Sequence, residues 1–292
     1  MKVIITIPAY NEEEDIGRVL AEINETMGKT DYSYKIQVVD DGSKDKTAEI
    51  AKKHGAIVYT NNRNLGLAET FRKEIMHCLK SNADIIVHTD ADGQYSPKHI
   101  PELIKKIEEG YDLVLGSRFR GDIVGMPLLK IFGNKAFSKV ISSLIGVKIT
   151  DSTTGFRAFT KEVASDIKFI NTFTYTQEQI IRAAKQKFRI VEIPIETRKT
   201  RDSRLFKNPF EYAVKAWINI FRIYRDFDPL KFFGIIGLAF FLFGFLIGLW
   251  FMYLHFASGI EGHFGLMILM ILLVLMGIQI VLFGFFADMN KK

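Results

Sequence analysis

Short apolar runs alternate with amphipathic segments from the start of the chain to about Phe119. Runs typical of strands begin at Val3, Tyr34, Ala56, Ala83 and Asp112. The segments between them carry apolar residues at helical spacing, as in "EEEDIGRVLAEINETM", whose acids are expected in the first helical turn. This alternation predicts an α/β fold in which helices cover both faces of a mainly parallel sheet.

Polar sequences follow four of the predicted strands directly: "PAYNEE", "DDGSKD", "DADGQ" and "GSRF". In open parallel sheets, ligands bind beyond the carboxyl ends of the strands. The four sequences are therefore expected to line one crevice.

The C-terminal part contains two long uncharged segments, Phe232–Leu254 and Phe264–Ala287. At 1.5 Å per residue each reaches about 35 Å, enough to cross a hydrocarbon core of roughly 30 Å. Joined by the short link His255–His263, they predict a transmembrane helical hairpin. Two buried core helices are the alternative, but soluble helices seldom stay apolar on every face.

Basic residues predict the orientation of this hairpin. The link contains no Lys or Arg, whereas such residues precede the first helix and follow the second at Arg222, Arg225, Lys231, Lys291 and Lys292. The positive-inside rule then places both termini and the soluble domain in the cytoplasm. No signal peptide is recognised at the N-terminus, and a single cysteine permits no intramolecular disulfide, as expected in a reducing compartment.

The net charge of +6 is concentrated before the hairpin, where Arg198–Lys231 holds nine basic and four acidic residues. Next to a membrane span this favours contact with anionic head groups over nucleic acid, and no nucleic-acid partner is predicted. The predicted organisation is a catalytic domain (1–204), an amphipathic interfacial segment (205–229) and the two-helix hairpin (230–292). The alternative for 205–229 is a helix packed on the soluble domain.

The sequence "HTDADGQ" places two carboxylates and an amide at alternate positions, Asp90, Asp92 and Gln94. In an extended chain these side chains face the same way. Such oxygen ligands suit Mg²⁺ or Mn²⁺, which are often shared with substrate phosphates. The alternative is a polar turn with an aspartate cap.

The second acidic strand end, "VVDDGSKDKT", contains Asp40 and Asp41. Its acids could accept hydrogen bonds from a nucleotide base, whereas capping of the following helix is the alternative for Asp41. Neither GxGxxG nor GxxxxGK[ST] occurs, which argues against dinucleotide-binding and P-loop enzymes.

The motifs "IPAYNEE", "VVDDGSKDKT", "NLGLAET", "DADGQYSP", "GSRF" and "DSTTGFRAF" occur in this order. Together they resemble the family 2 glycosyltransferases, and among these the polyprenyl-phosphate sugar synthases of the dolichol-phosphate mannose synthase type, over Lys2 to Leu205. The resemblance implies a GT-A fold, a nucleotide-diphosphate sugar donor, inversion at the anomeric carbon and a divalent metal, Mg²⁺ or Mn²⁺. It implies that Asp90, Asp92 and Gln94 hold the metal, and that the nucleotide is bound by Pro8, Tyr10, Glu12, Asp40, Asp41 and Asp90.

A polyprenyl phosphate acceptor is mostly dianionic at neutral pH, so it needs cations to position it more than a general base. The candidates are Arg118, Lys130 with Asn134, and Arg198 with Arg204; a solvated surface charge is the alternative for each. Relatives tend to have arginine and serine where Lys130 and Asn134 stand, and lysine lacks the bidentate fork.

Some relatives carry an aspartate, proposed as base, where this chain has Gly155. Asp151, Gln177 and Glu178 are the possible substitutes, and the residues do not select one. With Asp92, Arg118 and Arg198, Asp151 is retained as a candidate catalytic residue. The expected mechanism nevertheless has no obligatory protein base.

The function predicted is transfer of a hexose, mannose from GDP or glucose from UDP, to a polyprenyl phosphate. A processive polysaccharide synthase would need more membrane helices and a Gln-x-x-Arg-Trp motif, which is absent. A membrane scaffold with a degenerate transferase domain is the alternative that is not an enzyme. Self-association through glycine-containing helix faces is a further expectation.

Overall fold

The computed structural model describes residues 1–121, 126, 128–165, 175–198, 218, 221–222, 225–258 and 263–290. By contacts the chain divides into two compact units, Met1–Tyr212 and Ala213–Lys292, and each is described by itself. The predicted boundary at 204 and most of the predicted interfacial segment lie outside the described residues.

The first unit alternates strands and helices. Its described strands are β1 (Lys2–Ala9), β2 (Ser33–Asp40), β3 (Ile57–Thr60), β4 (Ile85–His88), β5 (Leu113–Ser117), β6 (Arg157–Thr160) and β7 (Ile190–Pro194). Its described helices are α1 (Ile16–Met27), α2 (Thr47–Lys53), α3 (Leu67–Lys80), α4 (Ile100–Glu108, after a 3₁₀ turn at Pro97–His99), α5 (Leu128–Ile145), α6 (Lys161–Ser165) and α7 (Tyr175–Lys185).

The strands form one sheet in the order β3-β2-β1-β4-β6-β5-β7. Only β6 runs against its neighbours among the described strands, pairing antiparallel with β4 and β5. The carboxyl ends of the other six strands therefore lie along the same border of the sheet, which is the edge meant below. Because β6 is reversed, the segment that leads into it, 151–156, reaches the same edge.

This sheet confirms the predicted mainly parallel α/β fold, and the sequence runs located β1 to β5. The antiparallel β6 and the edge strand β7 were not predicted. The expectation for the acids of "EEED" was wrong, because α1 begins at Ile16 and has no acid in its first turn. Glu12 instead accepts backbone hydrogen bonds from Asp15 and Ile16 through its carbonyl oxygen, in the turn before the helix.

The core lies where α1 and α4 cover the sheet. Ile16, Leu20 and Ile23 of α1 are fully buried, as the helical spacing predicted. Strand residues such as Ile5 and Val38 are buried beneath them in the same cluster. Burial of such a continuous apolar layer fixes the positions at which the polar strand ends emerge.

The second unit contains α8 (Pro229–Ser258) and α9 (Phe264–Met289), both long and apolar enough to cross a membrane. The two helices pack closely at glycines. A Cβ on Gly237 would lie 2.6 Å from the carbonyl oxygen of Gly277, and one on Gly277 would lie 2.7 Å from that of Gly237. Only glycine permits this approach, so these glycines hold the hairpin together.

Candidate active site

The loops after β1 and β2 are tied to each other by short polar side chains. Ser43 Oγ accepts a hydrogen bond from the Asn11 amide at 2.9 Å, and Asn11 Oδ1 accepts one from the Lys44 amide at 2.8 Å. Thr47 Oγ1, at the start of α2, accepts from the Glu12 amide at 2.8 Å. Asn11 takes a positive φ of 54° at this junction, a conformation that asparagine tolerates. The loops that carry Tyr10 and Glu12 are thereby fixed against the end of β2.

Asp40 and Asp41 are both buried at the end of β2. Asp41 does not cap α2, the alternative that the sequence left open. Its Oδ1 accepts from Asn61 Nδ2 and the Leu65 amide, and its Oδ2 from the Gly66 amide, each at 2.9 Å. Asp41 therefore holds the loop between β3 and α3 against the site.

Asp90, Asp92 and Gln94 lie in a turn, because β4 ends at His88. The alternation expected of an extended strand therefore does not apply to them. Asp92 Oδ1 accepts from the Gln94 amide at 2.9 Å, which closes the turn. Gly93 has a φ of 72°, and a Cβ there would lie 2.5 Å from Nη2 of Arg18, so glycine is required.

Tyr95 fastens this turn to the segment before β6. It is buried, its ring stacks on Phe156 at 5.3 Å between centroids, and its hydroxyl accepts from the Gly155 amide at 3.2 Å. Burial raises the pKa of Tyr95 to about 12, so the hydroxyl stays protonated at neutral pH.

Gly155 lies directly against the carboxylate of Asp90. A Cβ at position 155 would lie 3.0 Å from both oxygens of that carboxylate. Burial raises the pKa of Asp90 to about 6; Asp92 and Glu74 add to this effect, whereas His88 opposes it. A divalent cation here would favour the ionised carboxylate.

His88 and Glu74 form a buried pair behind Asp90, with no exposed side-chain surface. His88 Nδ1 donates to the Gly155 carbonyl at 2.7 Å, and its Nε2 lies 3.3 Å from Glu74 Oε2. Thr6 Oγ1 donates to the other Glu74 oxygen at 3.0 Å. Burial disfavours the charged imidazole, but Glu74, Asp90 and the Gly155 carbonyl together outweigh it, and the pKa of His88 is raised. The pair fixes the carbonyl of the residue that borders Asp90.

Arg118 and Asp151 form a bidentate ion pair at the carboxyl end of β5. Nε donates to Oδ2 at 2.7 Å and Nη2 to Oδ1 at 2.8 Å, and the side chains are 6% and 0% exposed. Thr153 Oγ1 accepts a further bond from Nη2 at 2.8 Å. These bonds use Nε and Nη2, which leaves Nη1 without a partner among the described residues. The carboxylate neighbours raise the pKa of Arg118 despite its burial.

Glu192 of β7 supports this pair from behind. Its carboxylate accepts from the Thr150 amide and hydroxyl and from the Asp151 amide, at 2.8 to 3.0 Å. Glu192 thus positions the backbone that presents Asp151, and Asp151 in turn positions Arg118.

The remaining predicted residues are more dispersed. Arg198 donates to both carboxylate oxygens of Glu22 at 2.7 and 2.9 Å, and its amide donates to the Gln94 carbonyl. Asn134 is buried on α5. Lys130 lies on the same helix. Its side chain and the whole of Arg204 lie outside the part of the chain that the structure describes.

The two other possible bases lie on α7, where Gln177 and Glu178 are both buried. Pro8, in β1, is buried as well, next to Val39 of β2. The roles assigned to these residues from the sequence stay predictions.

Sequence reasoning missed Arg157, which is fully buried at the start of β6. Its Nη1 donates to the Thr176 carbonyl at 3.1 Å and to Gln179 Oε1 at 2.8 Å, and its Nη2 donates to the Thr154 carbonyl. Burial lowers its pKa. The available signal was the "GFR" sequence, which placed an arginine among apolar residues.

The donor set fits a divalent ion that is shared with a diphosphate. In the described part of the chain no three His, Cys, Asp or Glu side chains converge as an all-protein metal cage would require. Mg²⁺ usually binds one or two protein carboxylates and completes its shell with substrate phosphates and water. Asp90 and Asp92, on one turn at the open edge of the sheet, meet that requirement.

Comparisons with known proteins agree with this arrangement. The model of the family described as Glycosyl transferase family 2 matches residues 4–168. A dolichyl-phosphate hexose transferase of Haloferax volcanii is 35% identical over 195 residues, covering 66% of this chain and 82% of the relative. A UDP-N-acetylglucosamine–dolichyl-phosphate N-acetylglucosaminyltransferase of Methanococcus voltae is 32% identical over 219 residues, covering 67% and 85%.

A solved structure shows the same fold. Glucosyl-3-phosphoglycerate synthase of Mycobacterium tuberculosis, in complex with Mn²⁺, uridine diphosphate and phosphoglyceric acid, aligns with a TM-score of 0.60 at 20% identity. The alignment covers 76% of this chain and 77% of that chain. The predicted GT-A fold is thereby confirmed.

Proposed function

The chain belongs to glycosyl transferase family 2, and from this premise we propose that it transfers a hexose from a nucleotide-diphosphate sugar to a polyprenyl phosphate, with inversion. One observation carries the proposal: a pair of carboxylates suited to a diphosphate-bound metal and a buried arginine suited to a phosphate lie at the same edge of the sheet. Mannose from GDP is the favoured donor sugar, and glucose from UDP is the alternative.

The donor half of the site is formed by the interlocked loops after β1, β2 and β3. The nucleotide contacts Pro8, Tyr10, Glu12 and Asp40, with Asp41 holding the loop beside them. Asp90, Asp92 and Gln94 hold Mg²⁺ or Mn²⁺, which when bound neutralises charge on the leaving nucleoside diphosphate. The N-acetylglucosaminyltransferase relative and the structural neighbour are named with uridine nucleotides, which supports including UDP-sugars in any donor test.

Arg118 binds the acceptor phosphate through Nη1, while Nε and Nη2 remain on Asp151. A guanidinium fixed in this way loses little side-chain entropy when it meets the phosphate. Lys130, Asn134 and Arg198 are the further acceptor contacts. Asp151 is a positioning residue, because both its oxygens are engaged by Arg118.

The acceptor phosphate is already deprotonated at neutral pH, so the proposed reaction has no obligatory protein base. Single-turnover rates against pH for Asp151→Asn and Glu178→Gln test this. A loss of a thousandfold or more in Glu178→Gln with donor binding intact, or in Asp151→Asn with both donor and acceptor binding intact, contradicts it.

α8 and α9 cross the membrane as a hairpin, with the catalytic domain (1–204), the interfacial segment (205–229) and both termini on the cytoplasmic side. The length and apolar composition of both helices and the dolichyl phosphate named for the two relatives support insertion. The Lys and Arg residues on either side of the hairpin support the orientation. Cysteine labelling of intact cells, with a reporter cysteine at Lys292 and a control at Ser258, the last residue of α8, tests the orientation.

The function is tested by incubating membranes that contain the full chain with labelled GDP-mannose, UDP-glucose or UDP-N-acetylglucosamine, and extracting the lipids. One labelled lipid product, lost with EDTA and restored with Mn²⁺, supports the proposal. Tight sugar-nucleotide binding without metal-dependent transfer favours a scaffold, and a labelled polymer favours a polysaccharide synthase.

A further inference from the structure

α9 carries one amide in the middle of an apolar helix. From Phe264 to Ala287, Gln279 is the only residue whose side chain has a strong hydrogen-bonding group. It lies 15 residues after Phe264 and 10 before Met289, about 22 and 15 Å from the helix ends. In a membrane-spanning helix this position is inside the hydrocarbon core, where an unpaired amide is costly.

Gln279 is exposed on the hairpin surface and points away from α8. The opposite face of α9 is the one that packs on α8, since Met270, Val274 and Gly277 lie against the α8 glycines. At about 100° per residue, Gln279 is turned roughly 160° from Gly277. The glycine faces are therefore used inside the hairpin, and any further association needs a different face.

The face that carries Gln279 has the spacing of a helix–helix seam. Exposed apolar residues lie seven and four residues before Gln279 and three and seven residues after it. They are Leu272, Leu275, Leu282 and Phe286. Apolar residues at this spacing interdigitate with the same face of a parallel helix, and a polar residue at one central position sets the register.

We propose that this Gln279 face binds the same face of a second copy of the chain. The inference rests on the proposed membrane insertion. Copies inserted with one orientation have parallel α9 helices, so a two-fold axis along the membrane normal places each Gln279 opposite its counterpart. A primary amide donates and accepts, so each side chain satisfies the other without a third group. A second copy is the occupant that offers this complementarity at the required depth.

Cysteine cross-linking in membranes tests the pairing with the full chain. The only native cysteine, Cys78, is buried and gives a low background. Leu272→Cys and Phe286→Cys lie on the seam, whereas Ile278→Cys and Phe285→Cys, also exposed, lie about 100° to one side. Oxidation should yield disulfide-linked dimers for the first two variants and at least fivefold less for the controls. Adding Gln279→Leu to Leu272→Cys should weaken dimerisation about 3- to 30-fold, as expected for a membrane-buried hydrogen bond.

Equal cross-linking in seam and control variants, or cross-links only to a different protein, overturns the pairing. So does a dimer that Gln279→Leu leaves unchanged. Alkaline extraction of the same membranes separates the two claims. Chain released as soluble protein contradicts membrane insertion and the pairing together, whereas an integral but monomeric chain contradicts the pairing alone.

Discussion

Among the site residues, Asp151 is the one for which the structure predicts the effect of a substitution on stability most sharply. Asp151→Ala removes a carboxylate that binds Arg118 through two side-chain hydrogen bonds and its backbone amide through a third. The guanidinium would remain 6% exposed with Thr153 as its only described partner. A buried charge in that state is strongly unfavourable.

Breaking a buried ion pair from one side costs about 3–5 kcal/mol. For a domain of this size, 1 kcal/mol shifts Tm by about 2–4 °C, so Asp151→Ala should lower Tm by about 6–20 °C. Asp151→Asn retains the shape and one acceptor oxygen and should cost less, about 1–3 kcal/mol.

Thermal unfolding of the purified full chain in detergent measures this effect. Glu25→Gln is the matched control, because it removes one carboxylate from an ion pair with Lys29 in which both side chains are about 70% exposed. Its Tm should equal that of the wild type. If Asp151→Ala lowers Tm no more than Glu25→Gln, the ion pair does not hold Arg118 and the reasoning is refuted.

Three further substitutions probe the rest of the site. Gly155→Ala should push the Asp90 carboxylate aside and weaken Mn²⁺ binding. In an electron paramagnetic resonance titration with nucleotide bound, the Kd for Mn²⁺ should rise about 10- to 100-fold, and an unchanged Kd would contradict the contact. Glu192→Gln should destabilise the full chain by about 1–3 kcal/mol in denaturant, while the exposed control Glu196→Gln should not; equal effects would rule out the buried support. Gln94→Ala keeps the amide that closes its turn but should weaken metal-dependent turnover, and an unchanged metal dependence would reduce Gln94 to a turn residue.

The sequence predicted the edge of the sheet at which the site lies, because parallel strands place successive strand ends together. The polar residues after β1, β2, β4 and β5 could be assigned to one crevice without coordinates. The apolar period also identified the helix face that contains Ile16, Leu20 and Ile23.

The partners inside the site could not be predicted in the same way. Arg118 and Asp151 are 33 positions apart, and they meet because β6 reverses direction between β4 and β5. That strand has four residues, too few for an alternating pattern of apolar and polar residues to reveal it. The parity argument for Asp90, Asp92 and Gln94 depended on an extended chain, whereas β4 stops at His88. Pairing across the sheet is a tertiary property that one-dimensional patterns do not contain.

The central claim is that the donor diphosphate and the acceptor phosphate meet at one edge of the sheet, on Asp92 and on Arg118. The most direct test is the initial rate of lipid-linked hexose formation, measured against both substrates for the full-length wild type, Asp92→Asn and Arg118→Lys. The account predicts that Asp92→Asn loses transfer at least a hundredfold together with its response to Mn²⁺. Arg118→Lys should raise the acceptor KM at least tenfold while the donor KM stays within twofold. A wild type that forms no lipid product with any donor, or an Arg118→Lys variant whose acceptor KM is unchanged, would contradict the account.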